Sequence, residues 1–509
     1  MNRFLLLLSL SLLVACASQP TVIAPPLSSG AATAAGATSP GTGTSPGGIS
    51  SGGTGSGPDD VPTVVRAKRP STPDCAVASL ASQLSGGNLS ELRYQTVSHS
   101  LRAQASADTL LGLLFDTRKA VNGLYNGYST VDLQALHETQ ETQFRKTLGN
   151  LNGVITDAAD PLMSRYLGAI NDEHTYYLTA AQYKAFGDQS GGAPTPTPRF
   201  GFSFAPVPGE DGAVLTDVTD ASPAQEAGLQ RGDTLLSVNG EAFGGDPGDA
   251  QARYSAQLGK AVQSGSEVSF QVRRAEQTGT VKVTPKIISS ASLPWAYRKG
   301  NTVVLRIPTF NTKDVAQRVH NLVRAAQQGG ATGLILDLRD NGGGYVTEAT
   351  GVAAAFAPSL AGQTLEFIDA DDLTFAFKNG SVQLSAVCEG LIGSQSLSIQ
   401  QPAVWGGKLA VLVNADSASA SEVVTTTLQR AGATALGEKT VGVGNTATNI
   451  RDLPGKRGLS VTVARSRALG GSGEYLKERV TPDINVADDL KQLAHGHDLG
   501  LEAALVKVQ

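Results

Sequence analysis

Apolar residues first recur with a helical period. In ADTLLGLLFDTRKAVNGLY, Leu110, Leu113, Leu114 and Val121 fall on one face, and DLQALHETQETQFRKTLGNL carries the same spacing to Leu151, so residues 66–192 are expected to be largely helical. The period shortens to two at RFGFSF, where Phe200, Phe202 and Phe204 alternate along a predicted strand. Ser222-Pro223 then opens a short predicted helix, and Arg231-Gly232-Asp233 turns into a strand at 234–238. Further on, NTVVLRIPTF reads as a strand and TKDVAQRVHNLVRAAQQ as a helix with Val315, Val319, Leu322 and Val323 inward. TGLILDLRDNGGG reads as a buried strand ending in a glycine turn. Strand LAVLVN, helix SEVVTTTLQRAG and strand ATALGE continue a β/α alternation. The pattern predicts an α+β multidomain chain: a helical region at 66–192, a β domain at 199–287, an α/β core at 292–490 and a tail at 491–509.

The first residues have a different character. MNRFLLLLSLSLLVAC places Arg3 before an apolar run and a small residue before Cys16, which reads as a signal peptide at 1–16, too short to span a bilayer as a helix. Leu13, Val14, Ala15 and Cys16 resemble a bacterial lipobox, which implies acylation of Cys16 and an exported protein lipid-anchored in a bacterial cell envelope. Residues 17–65 are mostly Ser, Gly, Thr, Ala and Pro and are expected to form a disordered tether, because they offer too little apolar surface to offset the entropy of ordering. The chain contains no second run of eighteen or more apolar residues, so anchoring would depend on the lipid.

Composition narrows the possible partners. The chain has 509 residues, 40% hydrophobic and 17% charged, with a formal charge of −5 and no long basic stretch, which makes nucleic acid a poor partner. No His/Cys cluster has metal-ligand spacing and no phosphate-binding glycine loop occurs, so no metal or other cofactor is expected. With Cys16 acylated, Cys75 and Cys388 are left either to pair or to remain thiols.

Two stretches carry candidate chemistry. Gly342, Gly343 and Gly344 end a buried strand, where α/β sheets place ligands and where backbone N–H groups can approach an oxyanion. In NADSASASEVV, Ser419-Ala-Ser-Glu422 fits a capping box, so the Ser419 hydroxyl could cap the following helix. The same turn would suit a nucleophile, because a helix N-terminus favours developing negative charge.

The stretch SPAQEAGLQRGDTLLSVNG resembles a PDZ domain, which implies that Phe200, Gly201 and Phe202 of RFGFSF bind the terminal carboxylate and main chain of a peptide. NDEHTYYL, LDLRDNGGG, NADSASASEVV and RVTPDINV, in this order around the PDZ-like module, resemble the C-terminal processing peptidases and their tricorn-like relatives. The resemblance implies a crotonase-like ββα peptidase core, polypeptide substrates, Ser419 as nucleophile, and an oxyanion hole from Ala420 with Gly343 or Gly344. It implies no cofactor.

The resemblance also sets a problem. Enzymes of this family with a Ser/Lys dyad carry the lysine in a GKG turn and a glutamine four residues on, and these positions are Val443 and Ala447 here. A valine cannot accept a proton. The tricorn-like branch uses a histidine in a segment like Asp172-Glu173-His174-Thr175, which implies His174 as base; an imidazole titrates in the right range without help. The same branch implies an orienting glutamate at Glu478, with Glu474 nearby. Two alternatives stand beside a Ser419/His174 peptidase: a dyad with Lys439 swung inward, and an inactive scaffold that captures peptide C-termini. If the anchor is at Cys16, Cys16→Ser should move the protein from the membrane pellet to the soluble fraction without changing its thermal melt. Continued sedimentation would reveal another anchor.

Overall fold

The computed structural model describes residues 71–73, 75, 108–184, 198–288, 293–388, 390–391, 397–469 and 473–509. Cys16, the signal sequence and the 17–65 tether lie outside these residues.

Helices α1 (Leu110–Leu124), α2 (Leu133–Leu148) and α3 (Asp160–Gly168) follow the predicted period. Thr109 Oγ1 accepts the Gly112 N–H and the Asp132 carboxylate accepts those of Gln134 and Ala135, so both long helices start on capped donors. Their buried faces meet one another and also the sheet beneath them. Leu113, Val121, Phe144 and Leu167 pack against Leu365, Ala447, Leu459 and Val461 from the far end of the chain. The division at residue 192 is therefore corrected: these helices cover a sheet and share its core. Strand β1 (Tyr176–Leu178) leads from them into that sheet.

The next unit holds β2 (Phe202–Pro206), β3 (Ala213–Val218), α4 (Pro223–Glu226), β4 (Thr234–Val238), α5 (Ala250–Gln263), β5 (Val268–Arg274) and β6 (Gln277–Val283). These strands pair antiparallel in the order β2–β3–β4–β5–β6, leaving β2 at an edge. Phe200, Leu215, Leu235, Tyr254 and Phe270 fill the core between sheet and helix.

The remainder begins with β7 (Trp295–Lys299), β8 (Thr302–Arg306), α6 (Val315–Gln328), β9 (Gly333–Asp337), α7 (Val346–Ala354), β10 (Gly362–Phe367), β11 (Leu373–Lys378) and β12 (Ser381–Ala386). It continues through β13 (Lys408–Val413), α8 (Ala420–Arg430), β14 (Thr434–Gly437), β15 (Thr446–Leu453), β16 (Arg457–Ala468), β17 (Ile484–Asn485), α9 (Leu490–Ala494) and α10 (Leu499–Val508). One six-stranded sheet runs β7–β8–β9–β13–β14–β17 and is parallel from β8 onward. Such a sheet needs cover on both faces. Residues of α6, α7 and α8 cover one, and Ala504 and Val508 of α10 pack on the other against Val304, Ile335 and Leu412. The segment expected to be a tail is thus corrected to a structural layer, with Leu493 of α9 packed on Val207 and Val214 of the PDZ-like unit.

In the second large sheet, the long strand β16 pairs with β15 along one edge and with β1 and β10 along the other; β11 and β12 follow β10. Tyr176 lies opposite Ser460, which brings the end of the helical region to the strand made last. Cys75 and Cys388 are joined as a disulfide with Cα atoms 5.1 Å apart.

Three segments meet at a buried ion cluster. Arg306 and Arg339 are 6% and 2% exposed. Arg306 reaches Asp337 at 3.1 Å, Asp217 of β3 at 3.3 Å and Asp340 at 3.3 Å. Arg339 reaches Asp337 at 2.8 Å and Asp498 at 2.7 Å, and Asp498 also pairs with Arg231 of the PDZ-like unit at 2.9 Å. Burial alone would raise the Asp498 carboxyl, but Arg339 and Arg231 outweigh it and lower its pKa to about 2. Asp498→Ala removes a carboxylate shared by Arg339 and Arg231, leaving Arg339 with Asp337 and Arg231 with Asp488, and is expected to cost about 3 kcal/mol of stability, read from urea unfolding. An unchanged midpoint would show that the cluster does not join these segments.

Candidate active site

The turn between β13 and α8 is tied down by its outer serines. Ser417 Oγ donates to Leu338 O at 2.9 Å and Ser421 Oγ to Asn341 O at 2.8 Å, while Ala418 N–H donates to the same Asn341 carbonyl at 3.0 Å. Ser419 between them is 1% exposed, and its Oγ has no hydrogen-bond partner among the described residues. Its backbone sits at φ 53°, ψ −113°, a region that residues with a Cβ rarely occupy. Strain of this kind on a strand-to-helix turn is a geometry that would suit a presented nucleophile. The turn has the outline of a capping box, but only the carboxylate limb is engaged: Glu422 Oε2 accepts Ser419 N–H at 2.7 Å, and the hydroxyl caps nothing.

The glycine turn presses against this serine. A Cβ on Gly343, at φ 97°, would stand 2.8 Å from Ser419 Cβ and 3.0 Å from Ala420 N. One on Gly344 would collide with the Phe310 backbone. Gly343 N–H donates to Asn341 Oδ1 at 2.9 Å, which corrects the expectation for this residue: its donor is committed, and its part is to permit close approach. The N–H groups of Ala420 and Gly344 make no hydrogen bond among the described residues. Ala420 opens α8, so its N–H lies at the positive end of a helix dipole.

His174 is 1% exposed and lies just before β1. Its main chain is held by Asp172 Oδ1, which accepts its N–H at 2.9 Å, and by Ser460 Oγ, which donates to its carbonyl at 2.7 Å. Nδ1 is 2.7 Å from Thr446 Oγ1. Burial lowers the imidazole pKa to about 4, with the Asp172 charge opposing the shift, so the ring is neutral at neutral pH. Thr446 lines a narrow cavity with Val346, Ala349, Gln363, Ser419, Ala420 and Val423, so one hydroxyl connects the imidazole to the nucleophile's cavity.

Two expectations are placed elsewhere. Glu478 has an exposed side chain, and its carbonyl accepts from Gly444 N–H; the group against His174 Nδ1 is Thr446. The spacing to RVTPDINV locates Glu478 on a surface turn, where water solvates the carboxylate. Lys439 is exposed and does not line the cavity, so no Ser419/Lys439 dyad forms. Val443 is buried, and its N–H donates to Glu422 Oε2 at 2.9 Å, beside Gly442 N–H on Oε1 at 2.9 Å. Glu422 thereby ties the nucleophile turn to the loop in which a lysine would stand. Burial raises its pKa, and the bonds from Thr440, Val443, Ser419 and Gly442 counter this. Thr446 and Gln363 had no motif to reveal them.

In the PDZ-like unit, Phe200 is core: its ring stacks on Phe202 at 5.6 Å and meets Phe270 edge-on at 5.1 Å. The Phe200 and Gly201 carbonyls accept from Ala224 and Thr219 N–H groups, which fixes the loop before β2. The outer edge of β2 is unpaired among the described residues, and α5 lies against it.

Comparison with known proteins agrees with this architecture. Residues 301–486 match the model of peptidase family S41, and residues 214–274 that of a PDZ domain. A chloroplastic C-terminal processing peptidase of Tetradesmus obliquus is 27% identical over 400 residues, 76% of this chain and 79% of that protein. A probable CtpA-like serine protease of Staphylococcus epidermidis is 27% identical over 327 residues, and the match spans 62% of this chain but only 58% of that protein. A putative S41 protease from Bacteroides fragilis, solved by crystallography, superposes with a TM-score of 0.46 at 18% identity over 72% of this chain and 96% of its own. The α/β core thus carries a match to peptidase family S41 and the β module a match to a PDZ domain, and the chain as a whole is similar to C-terminal processing serine proteases.

Proposed function

We propose that the chain is a cell-envelope serine endopeptidase, lipid-anchored through Cys16, that cuts unfolded or C-terminally exposed polypeptides with Ser419 as nucleophile and His174 as base. The observation that carries this reading is the strained Ser419, its hydroxyl buried and without a partner among the described residues, at the start of a helix and against the glycine turn. A catalytically dead turn has no physical need to keep that strain.

In the proposed reaction Ser419 Oγ attacks the scissile carbonyl carbon and its proton passes to His174. The oxyanion formed is held by the N–H groups of Ala420 and Gly344. His174 then protonates the leaving amine, the C–N bond breaks, and water hydrolyses the acyl ester by the same route in reverse. Thr446 keeps the imidazole oriented; with Nδ1–H donated to it, the accepting lone pair is on Nε2, the atom that takes the Ser419 proton in this reading. The PDZ domain supplies substrate. A peptide adding to the free edge of β2 would run between that strand and α5, with its carboxylate at the loop of Phe200, Gly201 and Phe202.

Ser419→Ala and His174→Ala should each lower kcat/KM by roughly 10²–10⁴-fold, with the double variant little worse than either. Lys439→Ala should leave it unchanged. Because the folded pKa of His174 is depressed to about 4, the imidazole is unprotonated from neutral pH down to that value. The ascending limb of kcat/KM should therefore lie below the ordinary histidine range near 6.5. A wild-type chain that binds C-terminal peptides and cuts none would instead be the capturing scaffold.

Peptide capture has its own test. A long unfolded substrate with a free C-terminal carboxylate should be cut faster than the same substrate amidated, whereas short peptides should not discriminate. Equal rates on the long pair would remove carboxylate capture from the reading.

A further inference from the structure

Gln363 sits on β10 at 2% exposure, with its Oε1 buried and without a hydrogen-bond partner among the described residues. It lines the cavity of Ser419, whose Oγ is likewise buried and without a partner among them. Two such oxygens on one small space leave acceptor capacity that a bound group with a polar hydrogen can use. Relaxation cannot easily rescue Gln363. Its backbone is held between two strands, opposite Phe375 of β11 and Ala468 of β16, so the side chain cannot change to the other face of the sheet without breaking the pairing. The rest of the wall is Val346, Ala349, Ala420 and Val423 with the Thr446 hydroxyl, aliphatic and narrow.

An occupant that satisfies this space brings a carbonyl carbon to Ser419 and a small side chain with a polar hydrogen to Gln363. We propose that Gln363 is a specificity-determining residue: it selects a hydroxyl-bearing residue, Thr or Ser, as the one that supplies the acyl group at the cleaved bond, over the near-isosteric Val or Ala. A hydroxyl both donates and accepts, so it pairs with the carboxamide whichever way that group is turned. A methyl group in the same place leaves the amide buried and unpaired, and sites built around a polar partner reject such analogues strongly. The inference rests on the peptidase reading of Ser419.

The test uses the full chain and quenched-fluorescence peptides of one sequence that differ only at the acyl-donating residue. The wild type should cleave the Thr peptide with kcat/KM roughly ten- to a hundredfold above the Val peptide, and the Ser peptide above the Ala peptide. In Gln363→Leu, similar in volume and without polar atoms, the Thr/Val ratio should fall to one or below. A wild-type ratio near one overturns the proposal, as would hydrogen bonding of Gln363 to substrate main chain, which gives that result. An unchanged ratio in Gln363→Leu overturns it too; should that variant melt early, Gln363→Met takes its place, and the wild-type ratio decides without either. If no peptide is cut, the affinities of the Thr and Val peptides for Ser419→Ala separate the two readings. A Thr preference there keeps the role of Gln363 and removes the peptidase; equal affinities remove the assignment to Gln363 as well.

Discussion

Two guanidinium groups taken out of water impose the main constraint on this fold. Arg306 and Arg339 must be met by carboxylates, and those carboxylates come from separate stretches of chain: Asp337 and Asp340 beside the glycine turn, Asp217 from the PDZ domain, Asp498 from the start of the last helix. The arrangement sets register more than it adds net stability, since desolvating so many charges consumes much of their attraction. The active-site turn follows from that register. Asp340 N–H donates to Asn414 Oδ1 at 2.8 Å and Asn414 Nδ2 returns a bond to Asp340 at 2.7 Å, so the strand end bearing Arg339 and the loop leading to Ser419 are held together.

Strain at Ser419 is affordable because its neighbours are over-determined. Ser417, Ala418 and Ser421 each spend a donor on the 338–341 segment, and Glu422 gathers Ser419, Gly442 and Val443 around one buried carboxylate. Released from any such duty, the Ser419 hydroxyl faces the cavity. The position at which the resembled Ser/Lys enzymes carry their base is here a backbone anchor with a buried valine side chain, and the neutral imidazole, from the turn before β1, meets the cavity through the Thr446 hydroxyl.

Local pattern made most elements legible. The helical faces of Leu113 and Val121 or of Val315, Val319 and Val323 are buried as their spacing requires, and Ser222 starts its short helix as a cap. Ser419, Ala420, Gly344 and His174 could be singled out because each sits in a compact motif. What escaped was whatever depends on pairing across long sequence distances. Thr446 and Gln363 arrive through sheet register, opposite Arg465 and Ala468 on β16, and nothing near them in sequence announces it. An amphipathic face also says nothing about what will cover it, which is why the helical region read as a domain and α10 as a tail. Glu478 was placed by counting from a motif, and a count of residues carries no direction for a side chain.

The pairing of Tyr176 with Ser460 has a consequence for how the chain is made. His174 is synthesised before the PDZ domain and Ser419 long after it, while the hydroxyl and carbonyl contacts that seat the histidine come from Thr446 and Ser460. Contacts spanning nearly three hundred residues form late, after the loops between them have been closed. A growing chain therefore holds the parts of the proposed site without its geometry, and that geometry arises only when the last strand of the sheet is laid against the first.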